Sequence, residues 1–143
     1  MKKVLISVLI AVMLLMSLSL SVYATSEATI NPRYNNTLSA KVTMTISTEG
    51  LCAIRVSYVG DSSAFQSARI ITKVQKNESG TWIDVDLDQP DDQWIDTSTL
   101  PIFSQNHSVQ LTSRGTYRAF VVFEISGTGG ATDVIERTIE KTY

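Results

Sequence analysis

From Tyr117 onward every second side chain is apolar: Tyr117, Ala119, Val121, Phe123 and Ile125. That period of two marks a strand with one face in a core. The alternate set, Arg118, Phe120, Val122 and Glu124, is apolar in its middle and charged at its ends. A strand that is apolar on both faces at its centre belongs inside a sheet rather than at its edge, so 115–126 is predicted as the central strand of an all-β domain.

The same alternation recurs along the chain. Val42, Met44 and Ile46 predict a strand over 38–47, and Cys52, Ile54, Val56 and Tyr58 predict one over 51–58; Thr48-Glu49-Gly50 joins them as a hairpin. A third strand is expected over 68–76 on Ala68, Ile70, Thr72 and Val74. After the turn residues Asn77 to Gly80, a fourth is expected over 81–88, with Ile83, Val85 and Leu87 facing one way and Trp82, Asp84, Asp86 and Asp88 the other. Pro90 breaks that pattern. A weaker strand over 94–100 and a short one over 106–111 follow, with Val109 and Leu111 as core positions. Past the Gly127 to Gly130 turn, 133–143 suits either a helix face or a strand, and its β-branched residues favour the strand. Seven to eight short strands with turn signals between them predict a single immunoglobulin-like antiparallel β-sandwich over 38–143, after an extended lead-in over 25–37.

Residues 1–24 read differently. Lys2 and Lys3 precede an apolar run from Val4 to Leu20, and Val22-Tyr23-Ala24 places small residues where a signal peptidase reads, so cleavage is expected before Thr25. Cys52 lies far from that site, Leu100-Pro101-Ile102-Phe103 lacks a sortase signal, and Thr142-Tyr143 is no hydrophobic tail, so a secreted product with neither lipid nor sortase anchor is expected. Cleavage removes two of the 12 lysines and arginines and none of the 14 acidic residues, taking the net charge from −2 to about −4. A mildly acidic balance argues against nucleic acid or anionic membrane as a partner, leaving an extracellular protein or glycan. With one cysteine there is no disulfide framework, and Cys52 shares its face with Ile54 and Val56, which predicts a buried, inert thiol.

The stretch from Leu111 through Ser113-Arg114-Gly115-Thr116-Tyr117 to Val121 resembles the approach to the sixth strand of fibronectin type III and immunoglobulin-like domains. The resemblance implies that Tyr117 is a corner tyrosine, its ring in the core and its hydroxyl bonded to nearby backbone. The chain departs from the pattern in lacking the cysteine pair and a second-strand tryptophan, and in having Arg114 where many modules have proline. The spacing of Gly80-Thr81-Trp82, Trp94 and Gly115-Thr116-Tyr117-Arg118 is similar to that of small secreted proteins of Gram-positive bacteria. That likeness implies a sandwich and export and brings no activity with it.

Three groups of residues are weighed for function. Asp84, Asp86, Asp88, Asp91, Asp92 and Asp96 make an acidic run that suits a solvated face, with a calcium site on Asp88, Asp91 and Asp92 as the alternative. Trp82 and Trp94 flank it, either packed over the sandwich end or exposed as stacking platforms for sugar rings. On the outer face of the central sheet, Ile71, Phe120 and Val122 beside Arg69, Lys73 and Arg118 would form an apolar patch rimmed with bases, unless Ile30 and Tyr34 cover it. His107, the only histidine, is read as turned away from the core position Val109. No nucleophile motif accompanies it, so a non-catalytic module without cofactor is expected, and a small secreted hydrolase is the competing class.

Overall fold

The computed structural model describes residues 34–143. Eight strands form: β1 (Thr37–Ile46), β2 (Leu51–Gly60), β3 (Phe65–Glu78), β4 (Thr81–Asp84), β5 (Trp94–Ser98), β6 (Ile102–Gln110), β7 (Thr116–Gly127) and β8 (Asp133–Thr142). They make two antiparallel sheets. One has the order β1-β2-β6; the other runs β4-β3-β7-β8, with β5 also pairing β3. The chain crosses between sheets after β2, β5 and β6. With β4 and β5 sharing one edge of β3, so that they fill a single place in the sheet, the arrangement of β1, β2 and β6 against β3, β7 and β8 is that of an immunoglobulin-like sandwich. The final segment is a strand along its full length.

β7 lies between β3 and β8, and its inner residues Tyr117, Ala119, Val121, Phe123 and Ile125 are all buried. They meet Ile54, Val56 and Tyr58 of β2 and Ile70 and Val74 of β3, so alternate residues of both sheets fill one core. Cys52 lies within this core and is fully buried. The Tyr117 hydroxyl donates to the Ser113 carbonyl at 2.7 Å, the corner bond expected from the resemblance. A second buried tyrosine works at the crossing from β5 to β6. Tyr58 stacks between Phe65 and Phe103, each ring centre 5.7 Å away, and donates to the Leu100 carbonyl at 2.8 Å, pinning the link from β5 to β6.

The start of β1 is tied to the start of β8 through one buried carboxylate. Asp133 accepts the backbone N–H of Asn35 and Asn36 and the Thr37 hydroxyl, at 3.1, 2.8 and 2.8 Å. Asn36, itself fully buried, donates to the Ala131 carbonyl and accepts from Gly129 N–H. A Cβ on Gly127 would collide with the Asn36 side chain and the Ala64 backbone, so the tight approach there requires glycine. The segment before β1 is therefore held, from Asn35 on, by the turn between β7 and β8.

Two strands differ from the pattern-based expectation. β4 ends at Asp84 rather than continuing to Asp88, because it pairs only with Gln75–Glu78 at the tail of β3, and the chain then leaves the sheet. Ile83, expected inside, is 46 % exposed. β6 begins at Ile102, four residues earlier than expected, and its inward set is Phe103, His107 and Val109.

Candidate functional site

β4 and β5 occupy the same edge of β3, one after the other. Trp82 pairs with Asn77 and Trp94 with Thr72. Asn77 and Thr72 are five residues apart on one strand, an odd offset, so the two indoles project from opposite faces of the sheet. Trp94 faces inward, packs against the core and stacks on His107 with centroids 4.7 Å apart and 7° between planes. Trp82 faces outward, and the Arg118 guanidinium lies 4.3 Å from its ring centre. The tryptophans therefore do not form a shared platform.

His107 is two residues from Val109 and shares its inward direction, which corrects the outward reading. Its Nε2 lies 2.7 Å from Asp96 Oδ2. The pair spans the gap between β6 and β5 on the two sheets, beneath Trp94, and no hydroxyl or thiol among the described residues bonds to the imidazole. It is an acid–base pair without a nucleophile, and it closes the open side of the sandwich.

The acidic run disperses for similar reasons of direction. Asp84, on the outer face, accepts from Lys73 Nζ at 2.7 Å and Gln75 Nε2 at 2.6 Å, and the Lys73 ammonium holds its carboxyl below the usual aspartate range. Asp86 accepts the Asp88 N–H, and Asp92 accepts the Leu87 N–H at 3.4 Å. Asp88, Asp91 and Asp92 adopt positive φ of 54°, 58° and 48° in the loop, and their carboxylates are not gathered. Among the described residues no three carboxylate, imidazole or thiol groups are placed to hold a metal ion.

What the structure does bring together is the outer face of the five-stranded sheet. Ile95, Ile71 and Val122 lie in one cross-strand row, and Lys73 with Phe120 in the next. Ile95 is 48 % exposed, and Ile71, Phe120 and Val122 are half-buried. Tyr34 packs against the core rather than over this row, and Ile30, the other residue considered as cover, lies outside the described residues. One end of the patch is bounded by the Arg69–Glu124 ion pair at 3.0 Å. That pair forms the floor of an open trough of about 580 Å³, fringed by Ser67, Thr97, Ser126 and Thr132.

The other end is bounded by a side-chain ladder. Lys73 bonds Asp84, Asp84 bonds Gln75, Gln75 Oε1 accepts from Arg118 Nε at 2.7 Å, and Arg118 lies on Trp82. The opposite sheet differs. The middle of its outer face carries Thr43, Arg55, Ser57, Ser104 and Asn106, and its exposed apolar residues are split between its ends, Leu38, Leu100 and Ile102 at one and Leu51 at the other, rather than gathered in a central row. Trp82 and Arg118 were each singled out from the sequence; their stacking was not, because it depends on β4 and β7 flanking the same stretch of β3.

No protein-family model matches the chain, and no curated protein matches it.

Proposed function

We propose that the chain is an exported, non-catalytic binding module that engages another extracellular protein through the outer face of its five-stranded sheet. The observation that carries this is the row Ile95–Ile71–Val122 with Phe120 beside it, an apolar strip held open between an ion pair at one end and the Arg118 ladder at the other. Half-buried aliphatic side chains on a sheet face with ordered polar groups at both ends match the pattern of a binding surface with an apolar centre and a polar rim. Sugar stacking on paired indoles finds less support, because Trp94 faces inward and is stacked on His107, and one face of Trp82 is taken by Arg118. Hydrolysis finds less support because, among the described residues, no hydroxyl or thiol bonds the imidazole of the His107–Asp96 pair.

Two measurements test the reading. The product recovered from the medium of expressing cells should begin at Thr25. A photo-reactive group at residue 95 should then crosslink to one cell-surface or secreted protein. That adduct should be lost with Val122→Asp and kept with Thr43→Asp on the opposite sheet; equal adducts in both variants would remove the assignment to this face.

A further inference from the structure

Resting on that reading of the face, we infer that Arg118 is a carboxylate receptor within it. The ligand it fits is an extended peptide segment of a partner protein, with an acidic side chain followed at alternate positions by aliphatic ones.

Arg118 is half-buried, stacked 4.3 Å from the centre of the Trp82 ring and fixed through Nε by Gln75 at 2.7 Å. Gln75 is oriented in turn by Asp84, and Asp84 by Lys73. With its plane set by the indole and its rotation set by Gln75, the side chain has little freedom left to lose on binding.

Its two terminal nitrogens are the unused part. No acceptor among the described residues reaches Nη1 or Nη2. The nearby carboxylate of Asp84 has each oxygen already bonded, one to Lys73 and one to Gln75. Glu140 is the cross-strand partner of Arg118 on β8, yet no ion pair forms between them, because the guanidinium turns the other way, onto Trp82. Of the three cations on this face, Arg69 is paired with Glu124 and Lys73 with Asp84, whereas Arg118 forms no ion pair, although Glu140 and Glu136 of β8 lie on the same face opposite Arg118 and Val122. A planar pair of N–H donors with one net charge fits a carboxylate in a bidentate bond.

The spacing of the face sets the rest of the ligand. Phe120 and Val122 follow Arg118 at successive outward positions of β7, about 6.7 Å apart. A strand laid along β7 with its carboxylate on Arg118 would place its side chains two and four residues away over Phe120 and over the Ile71–Val122–Ile95 row.

The test uses the chain as recovered from expressing cells and a capped peptide, acetyl-Glu-Ser-Leu-Ser-Leu-Ser-amide, beside its counterpart with Gln for Glu. The readout is the Trp82 indole N–H resonance together with the methyl resonances of Ile71 and Val122. The Glu peptide should shift all three, and the Gln peptide should bind at least tenfold more weakly. Arg118→Lys keeps the charge and loses the fork, so it should also weaken the Glu peptide about tenfold, and Gln75→Leu should weaken it by less. Both variants are checked for unchanged β-sheet dichroism.

Equal binding of the two peptides, or Glu-peptide binding unaffected by Arg118→Lys, would overturn the carboxylate assignment and leave the binding face standing. No shift from either peptide up to about 5 mM overturns it as well. Failure of the broader reading is registered separately, by the crosslinking at residue 95.

Discussion

Replacing Asp133 is the substitution from which this fold should suffer most for the fewest atoms removed. The carboxylate is 7 % exposed and receives three donors, two of them on residues that are themselves buried. Asp133→Ala leaves the Asn36 N–H and the Thr37 hydroxyl, both on buried residues, without their acceptor. At about 1–3 kcal/mol for each buried donor stranded, the loss should be roughly 3–5 kcal/mol. That is a large part of the stability of a domain this size, which is on the order of 5–15 kcal/mol. Asp133→Asn should cost less. Oδ2 serves both Asn36 and Thr37, so an amide oxygen placed there keeps two bonds and fails only the partly buried Asn35 N–H, for a loss of about 1–2 kcal/mol. Thr37→Val should cost about 1 kcal/mol alone and nothing further in the Asp133→Ala background, because its acceptor is already gone. Urea unfolding of the four variants, with slopes compared, gives the ranking. An Asp133→Ala stability within about 1 kcal/mol of the parent, or equal damage in the alanine and asparagine variants, would show that the carboxylate does not tie β1 to β8.

Three further outcomes follow from the geometry. Tyr117→Phe removes the bond to the Ser113 carbonyl but not the ring packing, so it should lower stability by about 1 kcal/mol and the melting midpoint by roughly 3–6 °C; a midpoint equal to the parent's would show the corner bond to be idle. Burial pushes the Cys52 thiol up from 9.0 to about 11, so the folded state holds its proton longer than the unfolded one, and stability should fall as pH rises across that interval. Cys52→Ala should lack this alkaline slope, and alkylation of the native protein near neutrality should proceed only as fast as it unfolds. Asp84 has its pKa depressed by Lys73, so its contribution is complete above the ordinary aspartate range and is lost as pH falls through the lowered value; Asp84→Asn should flatten that acid limb in urea titrations at successive pH values.

The parts of this fold that were legible in the sequence are those carried by residues near one another along the chain. The alternation of β7, the tight hairpin at Gly50 and the Tyr117 corner each depend on a few consecutive positions. Ile83, Val85 and Leu87 show where such reading fails. Alternation reports which side of a strand is apolar, not whether a second sheet lies above it, and β4 pairs only with the tail of β3. The directions of Trp82 and Trp94 were hidden because the nine residues between β4 and β5 reset the register, and only the pairing with Asn77 and Thr72 fixes which indole faces solvent. His107 stands two residues from Val109, so alternation alone puts it on the inward side; what was out of reach was its partner, Asp96, on the other sheet. Asp133, in a polar stretch after a glycine turn, resembles a turn residue, and its donors are 96 to 98 positions away in the chain.

The outer face carries a coupling that follows from the shortness of β4. Four paired residues are too few to hold a strand firmly at a sheet edge, and β4 has no second neighbour on its free side. What supplements its backbone pairing is the ladder of side chains from Lys73 through Asp84 and Gln75 to Arg118 and Trp82, which joins β4 to β7 across β3. The same contacts that steady β4 therefore orient the Arg118 guanidinium, and loosening either should loosen the other. Amide exchange should register this directly. Trp82→Ala should speed exchange at Val85, whose N–H bonds the Val74 carbonyl just past the end of β4, while leaving the inner amides of β7 protected. If exchange at Val85 is unchanged, the ladder is decoration on an edge already stable without it, and Arg118 has no fixed platform to present.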